Sequence, residues 1–246
     1  MKWINWYIVL GSSLVLSSLF LYVIQVAIFH RTNDTLFYML QDLAFVPMQV
    51  LLVTLIISGL LNMREKRLRL EKLNMVIGTF FSEVGTRLIA YFSDFDPKLD
   101  DIRKDLIVTK DWSDQEFMDV SKRLKDYDYK VEIQKINLED LRIFLTGKRD
   151  FLVRLLENPV LLEHETFTEL LRAVFHLTEE LASRKDLQNL PHTDYAHLAG
   201  DVKRAYILLV HEWLNYMKYL KDNYPYLFSL AMRTNPFDQS ASPIVE

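Results

Sequence analysis

The chain contains no cysteine. That excludes disulfides, thiolate metal sites and cysteine nucleophiles, and it fits a reducing compartment. Glycine is scarce, with six residues among 246. The Gly-Lys of "LTGKRD" (145–150) therefore lacks the glycine-rich strand-to-helix loop that cradles phosphates. No G-x-S-x-G elbow occurs, and no serine or threonine is spaced beside a base as nucleophilic catalysis requires. Basic excess is missing too. The net charge is −4, which removes any general attraction for nucleic acid.

Charge is altogether absent from two long segments. Ile4–Phe29 has 26 consecutive uncharged residues, more than the roughly 20 a bilayer core requires. Trp3, Trp6 and Tyr7 stand at its start, as in the aromatic belts of membrane interfaces. A signal peptide would have a shorter apolar core and a small-residue cleavage site; "VAIFH" is a poor one, so a retained anchor is expected. Leu43–Leu61 supplies a second run of 19 uncharged residues. Between the runs lies "HRTNDT", a polar turn in which Asn33 or Asp34 is suited to cap the second helix. After the second run, "MREKRLRLEK" (63–72) carries five basic residues, Arg64, Lys66, Arg67, Arg69 and Lys72, against two glutamates. The positive-inside rule keeps such a collar cytoplasmic. His30 and Arg31 are a weaker signal of the opposite sense. The expected topology is a hairpin with both termini cytoplasmic, in the cell (inner) membrane. The collar also suits anionic lipid headgroups, at about 1 kcal/mol per residue near the surface.

Several residues interrupt the apolar pattern. Ser13 and Ser17 have the small-xxx-small spacing of close membrane-helix contacts. "QDLAFVPMQV" (41–50) contains Gln41, Asp42, Pro47 and Gln49. Seven residues separate Asp42 from Gln49, about 700° on a helix, so the two share a face. Pro47 crowds the carbonyl of Leu43, and a kink is expected there. In an oligomer this face would form a polar ring of the kind channels use. The simpler reading is a hydrogen bond from Gln25, near the end of the first helix, to Asp42 or Gln41.

Beyond Lys72 the chain is acidic and helical in pattern, with 22 Lys/Arg against 29 Asp/Glu. Leu73, Val76, Ile77, Phe80, Val84 and Leu88 follow helical spacing, so the second membrane helix is expected to continue through the collar. Gly78, Ser82 and Gly85 form a small-residue track on another face, suited to close contact with a helix of this or another subunit. "DFDP" ends this segment. Two shorter helices follow, the second capped by the box Ser113-Asp-Gln-Glu116. Residues 127–136 alternate like a strand without an obvious partner and are read as an extended connector.

Three amphipathic helices come next. Asn137 caps the first, striped by Leu141, Phe144, Leu145, Leu152, Leu155 and Leu156. The second carries Phe167 to Leu181, and the third spans about 194–222. Such stripes bury against one another in a bundle. "YLFSLAMR" adds a short helix after Tyr224-Pro225, and the tail from Thr234 is expected to be extended. "NPF" (235–237) has the form of a short peptide ligand. Bundle metal sites use inward Glu-x-x-His pairs. "EHE" (163–165), "HLTEE" (176–180) and "HE" (211–212) supply weak candidates in His176, Glu180 and His211. His176 and Glu179 stand in reversed order, and His176 and His211 lie off the apolar stripes, so solvated histidines are the expectation and no cofactor is assigned.

"EKLNMVIGTFFSEVG" (71–85), "FLVRLLENPVLLEHETFTELLRAVFHLTEEL" (151–181) and "NYPYLFSLAMRTNPFD" (223–238) resemble segments of an uncharacterised group of prokaryotic two-pass membrane proteins. The resemblance implies the architecture and brings no activity. The expected fold is all-α: a transmembrane hairpin over 1–62 (helices about 4–29 and 36–62), a basic juxtamembrane helix over 63–96, a cytoplasmic helical bundle over 97–232 and an extended tail over 233–246. The expected function is a non-enzymatic, membrane-anchored interaction or regulatory module. It would associate with itself, with the bilayer and with a cytoplasmic protein partner. A homo-oligomeric ion channel is the alternative, and an enzyme or metalloprotein ranks last.

Overall fold

A computed structural model describes residues 2–159, 161 and 164–244, with the side chains of 2–8 left aside. Trp3, Trp6, Tyr7 and Glu163 of "EHE" thus lie outside the described side chains. Among the described residues the chain is helical and has no strand. It divides into two compact units, 1–66 and 67–246.

The first unit holds helix α1 (Lys2–Phe29) and the first part of helix α2 (Thr32–Phe80). The link between them is only His30 and Arg31, tighter than the six-residue turn expected. His30 takes a φ of 51°, the left-handed region where histidine is one of the more tolerated side chains. Because α2 starts at Thr32, Asn33 and Asp34 lie inside its first turn instead of capping it. Asp34 still sits where a carboxylate favours the helix dipole, and it pairs with Arg31 at 3.3 Å. Pro47 lies within α2. Both helices are long and apolar enough to cross a membrane, by length and composition. Their side chains are unburied: Phe20 is 65% exposed, Leu40 66% and Leu60 62%.

The second unit starts on α2, where Leu73, Ile77 and Phe80 are buried. A π-helical turn, Phe81–Gly85, follows, and then helix α3 (Thr86–Ser93). The chain breaks before Pro97, as the restriction on the residue preceding proline dictates. Helix α4 (Asp100–Arg103) and a 3₁₀ turn lead to helix α5 (Asp114–Asp126). The Ser113–Glu116 capping box is formed in both directions at the start of α5. Residues 127–132 are irregular, and their alternation buries Tyr129, Val131 and, in the following turn, Ile133. A single backbone bond, Glu132 N–H to Phe95 O at 2.9 Å, ties this connector to the α3 end.

The amphipathic stripe capped by Asn137 forms two helices instead of one, α6 (Leu138–Gly147) and α7 (Arg149–Leu156). Lys148 breaks them with φ −104° and ψ 2°. The low helix propensity of Gly147 makes a break cheap here, and two distant ion pairs hold it: Lys148 with Glu83 and Arg149 with Glu179, both at 2.7 Å. Helices α8 (Glu165–Ser183) and α9 (His192–Asn223) pack extensively on each other. Helices α3, α5 and α10 (Pro225–Arg233) pack against α9 in turn. Leu177, Leu181, Leu198, Val202, Leu209 and Met217 are all fully buried in this centre, each contributing about 1.5–3 kcal/mol by leaving water.

The tail adds turns to this core instead of an extended strand. Phe237 is 2% exposed, with its ring 5.1 Å from that of Trp213. The buried Asn235 donates to Leu106 O at 2.8 Å. The "NPF" triplet is therefore a folded lock and not a free peptide ligand.

Candidate functional site

In the first unit, Gln25, Gln41, Asp42 and Gln49 are exposed, and none makes a side-chain hydrogen bond. The interhelical bond expected from Gln25 is thus not formed. Ser13 and Ser17 on α1 are exposed as well. In the second unit, Gly78 lies against Tyr216 of α9, and a Cβ there would stand 2.5 Å from the Tyr216 hydroxyl. Gly85 is packed under the Phe80 and Phe81 rings, and Ser82 is exposed beside Gly78 in a groove facing α10. The basic residues Arg64, Lys66, Arg67, Arg69 and Lys72 are exposed, with Arg67 pairing to Glu71 at 3.3 Å.

Chemistry-bearing side chains converge on the edge of the α8–α9 pair. On α8 the stripe Phe167, Leu170, Leu171, Val174, Leu177 and Leu181 faces the core. His176 and Glu180, one turn apart, lie at its margin. On α9 Leu198, Val202, Ala205 and Leu209 face the core, and His197 and Asp201 have the same one-turn spacing. Residues four apart share a helix face, so each helix offers one imidazole and one carboxylate. The antiparallel register of the pair brings the four together. His176 Nε2 is 3.7 Å from Glu180 Oε1 and 3.5 Å from Asp201 Oδ2. His197 Nε2 is 3.5 Å from Glu180 Oε2 and 3.4 Å from Asp201 Oδ2. All four ligand atoms lie within 4.8 Å of one another.

Two arginines fix the carboxylates. Arg204 reaches Asp201 Oδ1 at 3.3 Å. Arg184 donates to Glu180 Oε2 at 2.7 Å and clasps both oxygens of Asp194, at 2.8 and 2.7 Å. Its hydrogen bond holds Glu180 below the usual carboxylate range, and it does the same for Asp194. Arg142 in turn donates to Arg184 O at 2.9 Å. The Asp201 side chain is only 5% exposed, and its Oδ2 has no hydrogen-bond partner. His176 and His197 are about half exposed, at 46% and 53%.

Sequence reading reached His176 and Glu180 but missed His197 and Asp201. The signal was present as a repeated His-x-x-x-acid spacing on two successive amphipathic helices. His211 does not join the group. It lies beside Tyr129, with ring centroids 6.4 Å apart, and burial and Lys125 lower its pKa. A second buried acid, Asp96, is also separate. It accepts from the Tyr127 hydroxyl at 2.8 Å and from Lys98 N–H at 3.0 Å, and burial pushes its pKa up.

Comparison with known proteins agrees with this division. A C-terminal helical domain described as that of "Uncharacterized protein MJ1433" matches residues 69–233, and the corresponding N-terminal helical domain matches residues 2–61. The Methanocaldococcus jannaschii protein "Uncharacterized protein MJ1433" is 47% identical over 239 residues, which cover 97% of this chain and 96% of that protein. No solved structure matches the chain. With both domains matched in order, and with nearly the whole length shared with this relative, the chain belongs to the MJ1433 family.

Proposed function

We propose that this protein is an integral, two-pass membrane protein whose N-terminal helices anchor a non-enzymatic cytoplasmic helical module, and that it self-associates. One observation carries the reading: nearly every large apolar side chain from Val9 to Leu61 is exposed. Leaving one such side chain in water forgoes about 1.5–3 kcal/mol, so helices of this kind call for lipid around them. The basic collar supports cytoplasmic placement of everything after it. In membrane fractions, the full chain should resist alkaline carbonate and be released only by detergent. A reporter fused after Met63 should read cytoplasmic. Extraction by carbonate, or an extracytoplasmic reporter signal, would overturn the proposal.

A second reading, a homo-oligomeric channel, draws on the exposed Asp42–Gln49 face that Gln25 leaves unbonded. Intramembrane polar groups of this kind are functional candidates by default. Cross-linking in detergent should then give a defined oligomer, and ion flux into liposomes should change with Asp42→Asn. A strictly monomeric protein would exclude the channel.

A further inference from the structure

We propose that His176, Glu180, His197 and Asp201 bind one tetrahedral divalent transition-metal ion of the zinc class, clamping α8 to α9. The proposal goes beyond membrane anchoring and does not depend on it.

The distances carry it. The four histidine-to-carboxylate separations span only 3.4–3.7 Å. They exceed the roughly 2.7–3.2 Å of an N–H···O hydrogen bond, so these groups do not satisfy one another. They match the ligand-to-ligand edge of a tetrahedron, about 3.4 Å when each metal–ligand bond is about 2.1 Å, as for zinc with imidazole and carboxylate. Four side chains are thus spaced around a common point and not paired across it.

Burial supplies a second, independent observation. Asp201 is almost wholly buried, and its Oδ2 faces both imidazoles without a hydrogen-bond donor. Leaving a charged acceptor unsatisfied costs more than the roughly 1–3 kcal/mol of a neutral group, and a cation between the helices would remove that penalty. The other Asp201 oxygen is held by Arg204, and Glu180 is held by Arg184. Such outer hydrogen bonds orient metal ligands.

The donor set selects the ion. Two imidazole nitrogens and two carboxylate oxygens suit zinc and its neighbours, whereas calcium and magnesium require six or more oxygen ligands. Two carboxylates neutralise a dication with both histidines neutral. Four protein ligands close the tetrahedron, the pattern of structural sites, whereas catalytic sites keep a position open for water. The half-exposed histidines leave the ion within reach of exchange with solution. The clamp would hold α8 and α9 together across the 184–191 connection.

The experiment uses the full chain in detergent, stripped with chelator and titrated with Zn²⁺ by calorimetry and with Co²⁺ by visible absorption. One ion per chain and the intense absorption of tetrahedral cobalt are expected. His197→Ala and Asp201→Asn should each weaken binding at least 100-fold, and Arg204→Ala by about 10–100-fold. His211→Ala should bind as the wild type does. Zinc should raise the melting temperature of the wild type and leave that of His197→Ala unchanged. If Asp201→Asn loses helical signal, His197→Ala, altered at a half-exposed ring, decides the matter. Unchanged zinc affinity in His197→Ala overturns the site. Absence of stoichiometric zinc binding, or equal preference for Mg²⁺, does so too.

Discussion

Gly78 sets a measurable limit on how closely α2 and α9 can pack. A Cβ added there would stand 2.5 Å from the Tyr216 hydroxyl and 3.2 Å from its Cζ, against an ordinary carbon contact of about 3.5–4.0 Å. The Tyr216 ring cannot swing aside freely, because it stacks on Phe81 with centroids 5.5 Å apart and planes 13° apart. Overpacking of this kind costs about 1–3 kcal/mol. Alanine in a helix returns about 0.8–1.0 kcal/mol relative to glycine. Gly78→Ala is therefore expected to destabilise by about 1 kcal/mol, within a range of about 0–2 kcal/mol. For a unit of this size each kcal/mol lowers the melting temperature by about 2–4 °C. Tyr216→Phe removes the 2.5 Å contact and leaves only the 3.2 Å one. In that background Gly78→Ala should become neutral or stabilising, giving a coupling energy of about 1–3 kcal/mol. Thermal unfolding followed by circular dichroism on the four proteins of the cycle measures it. Equal effects of Gly78→Ala in both backgrounds would refute the reasoning, as would stabilisation of the wild type.

Three further outcomes are expected. Phe237→Ala should cost about 3–5 kcal/mol, since the ring is 2% exposed against Trp213; chemical denaturation should show it, and a loss within that of a surface substitution would contradict the locked tail. Arg184→Ala leaves Glu180 and Asp194 without their charged donor and should cost about 1.5–3 kcal/mol, with Arg184→Lys only a partial rescue because ammonium lacks the bidentate fork. Asp96 has a folded pKa raised chiefly by burial. Its contribution to stability is fully present below its unfolded value of about 3.9 and is lost as pH rises through the raised folded value. Melting curves of wild type and Asp96→Asn should therefore diverge across that window, the wild type losing relative stability as pH rises, and parallel curves would contradict the assignment.

Local signals made most of the helices legible. Uncharged length exposed α1 and the first part of α2, and Ser113 and Asn137 marked helix starts through capping chemistry that acts within four residues. The break at Lys148 was not legible, because the Leu141–Leu156 stripe runs on in phase while the partners that hold the break, Glu83 and Glu179, are distant in sequence. The same limit hid half of the histidine–carboxylate group. His176 and Glu180 alone resemble an ordinary solvated face, and only the register of α9 against α8 brings His197 and Asp201 to them. The tail was misread for a related reason: "NPF" looks polar and exposed until Trp213 and Leu106 O are placed opposite it.

The π-helical turn at Phe81–Gly85 makes chain length, more than spelling, the constrained quantity at this point. The turn houses one residue more than a regular helix would hold over the same rise. Removing any one residue there would restore the i→i−4 ladder and rotate all that follows by about 100°. Leu88, Ile89 and Phe92, all fully buried on α3, would then turn away from α9. Substitutions can drift through the segment, but a one-residue gap cannot be absorbed locally. A relative that aligns here only with a gap has therefore rebuilt its core, whatever its overall identity.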